Sequence, residues 1–261
     1  MMKTRILSGI IMLPLLAVLY FGGYPLLIAC FLVAVIGAYE FFKGFHAMDV
    51  KPCYPIAVIS AISLYAINLF TDDESWHMLW LFGSVLLSLL YLFKIEERKL
   101  DDAMATITGI VYVVFFSYHV VLVEQTGATS ILIWLIVLAA FGTDIFAYFA
   151  GVTLGKHKLC PKISPKKSIE GSIGGILGSV ILCGGFGYFF AKEYLIHCLI
   201  IGLLGGVVSQ FGDLTASIFK RKMGIKDYGN IIPGHGGILD RFDSVLFTAP
   251  LVYYYIVLVI Q

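Results

Sequence analysis

Residues 129–152 read TSILIWLIVLAAFGTDIFAYFAGV, twenty-four positions with a single charged side chain, Asp144. Crossing the ~30 Å hydrocarbon core of a bilayer takes about 20 predominantly apolar residues in a helix. A run this long, apolar on every face, predicts a membrane span rather than the one-sided stripe of a soluble helix. The lone carboxylate is the second signal. A charge in such a segment costs at least ~2.5–3.5 kcal/mol on insertion scales, so it is expected to line a cavity and to have a role.

Working outward, eight further runs of the same kind occupy 6–22, 25–42, 54–70, 76–93, 103–123, 171–190, 194–217 and 243–260. They are too long and too uniformly apolar for barrel strands, and only helices and closed barrels satisfy backbone groups in lipid. Composition agrees: 59% of the 261 residues are hydrophobic and 13% are charged, with a mean hydropathy of +0.92. Soluble domains carry about 25% charged residues. The expected fold is all-α, a polytopic transmembrane helical bundle of about nine spans. Lys3 and Arg5 precede the first run, but no small-x-small cleavage site follows it, so it is expected to be a retained span rather than a signal peptide.

Charge distribution sets the expected orientation. With the N-terminus cytoplasmic, 17 of the 18 Lys and Arg residues fall in inside segments, and only Lys192 falls outside. The outside loop 71–75 carries Asp72, Asp73 and Glu74 and no base. Such asymmetry follows the positive-inside rule. The formal net charge of +1 leaves no global field to attract nucleic acid, and no nucleic-acid partner is expected. The five cysteines include no CxxC pair. Cys30, Cys183 and Cys198 lie in apolar runs as small hydrophobes.

Two long basic loops, 153–170 and 218–242, each follow a run that carries an aspartate. Chemistry is therefore expected in a C-terminal catalytic domain, 126–261 with spans 6–9. Residues 1–125, with spans 1–5, are expected to be scaffold. In the seventh run Gly171, Gly174, Gly175 and Gly178 are read as a helix-packing face, since small residues let backbones approach closely in lipid. A P-loop-like stretch at Gly151–His157 fails, because His157 stands where a magnesium-binding hydroxyl belongs.

The polar residues make a pattern. Helical spacing aligns Ser209, Asp213 and Ser217, continued by Lys220. It also puts Asp144 and Tyr148 on one face. Beyond Ser217 come Lys220, Arg221, Lys222, Lys226 and Asp227, then Pro233, Gly234, His235, Gly236, Gly237, Asp240, Arg241 and Asp243. Carboxylates suit a hard cation such as Mg²⁺. Lysines and the planar arginine fork offset charge on phosphate oxygens. Glycines beside His235 let backbone N–H groups approach an anion. A solvated basic loop explains Lys220 to Lys222, but not aspartates interleaved with bases. The earlier loop adds Ser164, Lys166, Lys167 and Ser168 at the start of a helix, where anions are favoured. An ordinary helix cap is the plainer reading of the same residues. His157, His46, His77, His119 and His197 have no partner at ligand spacing and are read as structural.

Ser217 to Asp243 resembles the signature of the phosphatidate cytidylyltransferase (CDP-diacylglycerol synthase) family at every fixed position. Ser164 to Gly171 resembles its Ser-Pro-Lys-Lys-Ser-x-Glu-Gly element, and Asp144, Ala147 and Tyr148 its intramembrane aspartate segment. The resemblance implies a multi-helix inner-membrane enzyme, often a homodimer. Its active site would face the cytoplasm and join CTP and phosphatidic acid. It also implies Asp213 and Asp240 as ligands of Mg²⁺, with a second cation as a further possibility. Lys220, Lys226, His235 and Arg241 would act with them in catalysis. Asp144, Ser164, Lys166, Lys167, Ser168, Ser217, Arg221, Asp227, Gly236, Gly237 and Asp243 would bind substrate. Ala216 departs from the acid many members carry there. A cation-coupled transporter with Asp144 and Asp213 lining a pathway, or a CTP-dependent lipid or polyprenol kinase, are the alternative readings.

Overall fold

The computed structural model of the protein describes residues 16–71, 73, 75–231 and 236–261. Most of the run at 6–22 lies outside the described residues, although residues 16–21 are helical. The other expected runs all form helices. These are α1 (Gly23–Phe45), α2 (Tyr54–Phe70), α3 (Ser75–Leu90), α4 (Leu100–Gly109), α5 (Phe116–Glu124), α6 (Trp134–Thr153), α7 (Ile169–Phe190), α8 (Leu195–Lys222) and α9 (Leu239–Tyr255). A wider π-helical turn, Ile110–Phe115, joins α4 to α5, so the two make one continuous stretch.

Among the described residues, seven helical stretches are long and apolar enough to cross a membrane, and the chain reads as a polytopic helical membrane protein. α2 is not among the seven. Its 17 residues rise about 26 Å at ~1.5 Å per residue, at the short end of the range that spans a bilayer.

The chain groups into two compact units, one made of residues up to Tyr118 together with Lys222–Arg241, the other of His119–Arg221 and Phe242–Gln261. In the first unit, Ala34 and Phe41 of α1, Leu64 of α2 and Val113 of the π turn are fully buried. Phe41 lies edge-on to Phe45, 5.1 Å between ring centres, and meets Tyr112 at 5.4 Å. Polar contacts fix the loop ends. The Asp102 carboxylate accepts from Lys51 N (2.6 Å) and Lys99 N (3.0 Å), and Cys53 N donates to Thr106 Oγ1 (2.9 Å) just before α2. Pro55 sits in the first turn of α2, where its missing N–H leaves no bond unmade. The segment after α8 returns to α1. A Cβ on Gly44 would meet Met223 Sδ at 2.6 Å, so the missing side chain is what lets Met223 seat there.

The second unit packs α6 to α9. A Cβ on Gly171 or Gly175 would stand 2.9 Å from the carbonyl oxygen of Ala147 or Thr143, closer than any real Cβ sits. These glycines therefore let α7 lie directly on α6, as the packing reading expected. α7 and α8 are tied by Ser172 with Gln210, and by Ser179 Oγ donating to Gly202 O at 2.7 Å. Thr248 of α9 donates to Ile136 O of α6 at 3.4 Å. All five cysteines are free, and Cys30, Cys183 and Cys198 are buried.

The all-α class stands, with one short strand pair in a loop. Residues 158–168 form an antiparallel hairpin, β1 (Lys158–Cys160) with β2 (Ser164–Ser168), in register Lys158 with Ser168 and Cys160 with Ser164. A tight turn closes it, Ile163 N donating to Cys160 O at 3.1 Å. Pro161 takes the second turn position, where its fixed φ fits.

Candidate active site

The second unit gathers charge from three elements. On β2, neighbouring side chains point to opposite faces. Lys166 is exposed, whereas Lys167 reaches α8 and sets its Nζ 2.5 Å from Asp213 Oδ2. Both side chains keep about a quarter of their surface, 25% and 27%, open to the surroundings. One turn along α8, Ser217 Oγ lies 3.4 Å from Asp213 Oδ1, so the expected stripe forms. On α9, Asp243 is buried, and its Oδ1 accepts from Ser244 N at 2.8 Å. Asp213, Lys220 and Asp144 all act electrostatically on it. The carboxylates of Asp213 and Asp144 thus add to the negative charge around Asp243, and Lys220 offsets part of it.

The hairpin is anchored to the same unit. Ser168 is the N-cap of α7, its Oγ accepting from Gly171 N at 3.1 Å. The plainer reading of Ser168 as a cap is therefore what the structure displays. Glu170 takes Lys156 N (3.1 Å) and faces His157 Nδ1 (2.6 Å), giving His157 a structural partner. Arg221 Nε donates to Ile163 O of the hairpin turn at 3.3 Å. Ser164 opens β2 opposite Cys160.

In the first unit the rest of the signature is held mainly by main-chain donors. Asp240 is buried, and its Oδ2 accepts from Tyr228 N (2.8 Å) and Gly237 N (3.0 Å). Gly236 adopts φ +86°, the left-handed region that favours glycine, and a Cβ there would stand 2.9 Å from Asp240 Oδ2. Arg241 N donates to Ile238 O at 2.9 Å, closing the first turn of α9. Its Nε is buried with no hydrogen-bond partner among the described residues, a donor suited to an anion. Lys226 and Asp227 are exposed. Pro233, Gly234 and His235 lie outside the described residues.

Glu40 was not anticipated. It lies on α1, is 2% exposed, and accepts from Ile238 N (3.1 Å) and Leu239 N (2.9 Å). The first four N–H groups of a helix have no partner within it, and that end favours negative charge. Glu40 therefore caps α9 from about 200 positions away in sequence. Gly229 and Gly237 have no side chain where one would strike its carboxylate. The signal was present: Glu40 is the one charged residue in the apolar run 25–42. The argument applied to Asp144 applies to it equally.

Among the described residues, no three His, Cys, Asp or Glu side chains close into a metal cage. Mg²⁺ commonly binds through one or two carboxylates plus substrate phosphates. Hard oxygen donors such as Asp213 and Asp240 are chemically suited to that demand.

The fold defines a polytopic helical membrane protein, and within one unit it sets the base Lys167 against the carboxylate Asp213. The chain belongs to the cytidylyltransferase family, whose sequence pattern matches residues 3–259. It is 34% identical to the phosphatidate cytidylyltransferase of Synechocystis sp., over 100% of this chain and 98% of that protein. The phosphatidate cytidylyltransferase of Bacillus subtilis is also 34% identical, over 98% of each chain. That of Staphylococcus epidermidis is 35% identical over 96% of this chain and 97% of its own.

Proposed function

We propose that this protein transfers the cytidylyl group of CTP to phosphatidic acid, giving CDP-diacylglycerol and pyrophosphate for phospholipid synthesis. The observation that carries the reading is the ion pair between Lys167 and Asp213, at 2.5 Å. It joins the two polar elements that resemble the family.

In the reaction an anionic oxygen of the lipid phosphate attacks the α-phosphorus of CTP. The new P–O bond forms as the bond from the α-phosphorus to the bridging oxygen breaks, and the electron pair leaves on pyrophosphate. No serine or cysteine nucleophile is needed. The barrier lies in bringing two anions together and in stabilising the departing charge, so positioning and electrostatics supply most of the catalysis. Lys167, Lys220 and Arg241 offset charge on phosphate oxygens, aided by Lys166, Arg221 and Lys226. A divalent cation, Mg²⁺ by its preference for oxygen donors, would be held by the carboxylates of Asp213 and Asp240 and would neutralise phosphate charge. Lys167 holds Asp213 with a single mobile ammonium group, a partner that substrate phosphate can draw away.

The same reading gives the chain nine spans with a cytoplasmic N-terminus, a site facing the cytoplasm and residence in the inner membrane. These rest on the distribution of Lys and Arg and on the bacterial relatives. A homodimeric state is carried over from the family resemblance alone.

The test is a product assay on purified protein in mixed micelles with phosphatidic acid, α-labelled CTP and Mg²⁺, with and without EDTA. Label is expected in a chloroform-soluble CDP-lipid, only with the metal present. CDP appearing in the aqueous phase instead would identify a kinase and overturn the reading. Intact CTP with cation flux in proteoliposomes would identify a transporter.

A further inference from the structure

In the first unit, a cavity of about 530 Å³ is formed by the end of α1, the start of α2 and the segment after α3. Its walls include Tyr39, Lys43, His46, Tyr54, Tyr91 and Arg98, and among the described residues no acidic side chain lines it. None of the residues of the two family-like elements takes part. Two cations, Lys43 and Arg98, with an imidazole beside them and no carboxylate in the lining suit the space to an anion.

The donors are prepared for an incoming ligand. Arg98 stacks its guanidinium over the Tyr91 ring, 4.3 Å from the centroid, which fixes the plane of its fork. Its Nε is buried with no hydrogen-bond partner among the described residues. Three nearby carboxylates each have other partners as well. Asp102 takes Lys51 N and Lys99 N, Asp49 pairs with Lys99 Nζ at 2.5 Å, and Glu40 caps α9. A bound phosphate would meet Arg98 and Lys43, with His46 beside them and Glu40 and Asp102 as the nearest competing charges.

The surroundings indicate the rest of the ligand. The cavity lies at the ends of two helical stretches long and apolar enough to cross a membrane, Gly23–Met48 and Ser75–Phe93. On the segment linking Tyr91 to Arg98, Phe93 and Ile95 are each 83% exposed. Aromatic rings with bases at the ends of spans mark a membrane interface, and basic pockets there take anionic headgroups. We infer that this cavity binds the phosphate of an anionic phospholipid, with Phe93 and Ile95 against its acyl chains.

The full-length protein, purified in detergent, is titrated with phosphatidylglycerol or phosphatidylcholine, and lipid retention is read by native mass spectrometry. Wild type is expected to retain phosphatidylglycerol preferentially. The double variant Lys43→Gln/Arg98→Gln should weaken that retention roughly thirtyfold, from the loss of two interfacial charges, with phosphatidylcholine unaffected. Arg98→Lys, which keeps the charge, should retain most of the binding and controls for misfolding. Equal phosphatidylglycerol retention in wild type and the double variant would overturn the assignment. So would displacement of the lipid by millimolar inorganic phosphate with no dependence on lipid headgroup, which would mark a site for soluble phosphate. The binding readout needs no turnover, so it stands or falls separately from the cytidylyl-transfer reading. Turnover at saturating phosphatidic acid and CTP is expected to be unchanged in the double variant.

Discussion

Asp213 and Asp240 are the same residue type, and the family resemblance gives both the same role, yet the protein holds them differently. Asp213 is held by the ammonium group of Lys167, at the tip of a long side chain. Asp240 is held by the backbone N–H groups of Tyr228 and Gly237, and the loop around it is held in turn by Glu40. A side-chain partner can change its allegiance when phosphate or cation arrives, at the price of one rotamer. Main-chain donors cannot move without refolding the loop. One region is therefore built to exchange partners, and the other to keep its shape.

The largest effect should fall on the exchangeable side. Asp213→Asn keeps the volume and a hydrogen-bonding oxygen but removes the charge that a cation and Lys167 both need. Turnover of CTP into CDP-lipid should fall roughly 10²–10³-fold, the scale of losing one preorganised electrostatic group. The unfolding midpoint in detergent should stay near wild type, because Asp213 is partly open and Lys167 can turn to solvent. Wild-type-like turnover would remove Asp213 from the site.

On the fixed side the expected signature is reversed, with stability lost first and activity following from it. Glu40→Ala leaves the part-buried Ile238 N and the buried Leu239 N without their acceptor. Charge-assisted hydrogen bonds contribute about 1.5–3 kcal/mol, so a loss of about 3 kcal/mol in unfolding free energy is expected. Glu40→Gln keeps one acceptor oxygen and should recover about half of that. If Glu40→Ala unfolds like wild type while losing turnover, Glu40 belongs with the exchangeable groups and the contrast fails.

Much of this was legible in the sequence, and the exceptions have physical causes. The helices were visible because lipid demands long, uniform apolar runs, and a run such as 129–152 permits few other structures. The stripe of Ser209, Asp213 and Ser217 follows from helical periodicity alone. The hairpin was hidden because Ser164-Pro165-Lys166-Lys167-Ser168 has no apolar alternation; it is held by a proline turn and pairing with β1. The pairing of Lys167 with Asp213 joins residues 46 positions apart, and one sequence carries no register for such a contact. Glu40 was visible as a lone charge in an apolar run, but its partners are backbone N–H groups, which every sequence possesses and none advertises.

A smaller effect probes how tightly the fixed loop is drawn. Gly236 sits at φ +86°, where an L side chain is strained by about 1–2 kcal/mol. Gly236→Ala should lower stability by about that amount. It should also lower kcat more than it raises the KM for CTP, because the new methyl group presses on Asp240 Oδ2 rather than on a nucleotide contact. An unchanged kcat would mean that the position of Asp240 is not critical to the chemistry.

The smallest expected effect concerns Arg221, which belongs to both descriptions. Its Nε straps the hairpin turn through Ile163 O, as a scaffold residue would, and its charge suits a phosphate, as an exchangeable one would. Arg221→Gln should lower the unfolding free energy by only about 0.5 kcal/mol, because an exposed hydrogen bond lies at the low end of the usual range. The more telling readout is the split between kinetic constants. A rise of a few-fold in the KM for CTP at constant kcat is the mark of uniform binding lost from a phosphate contact. Arg221→Lys keeps the charge and loses the planar fork. If it restores KM without restoring stability, the two roles of Arg221 separate, and phosphate binding needs only its charge. If it restores neither, the strap through Ile163 positions the hairpin that carries Lys167, and the exchangeable region has a fixed element of its own.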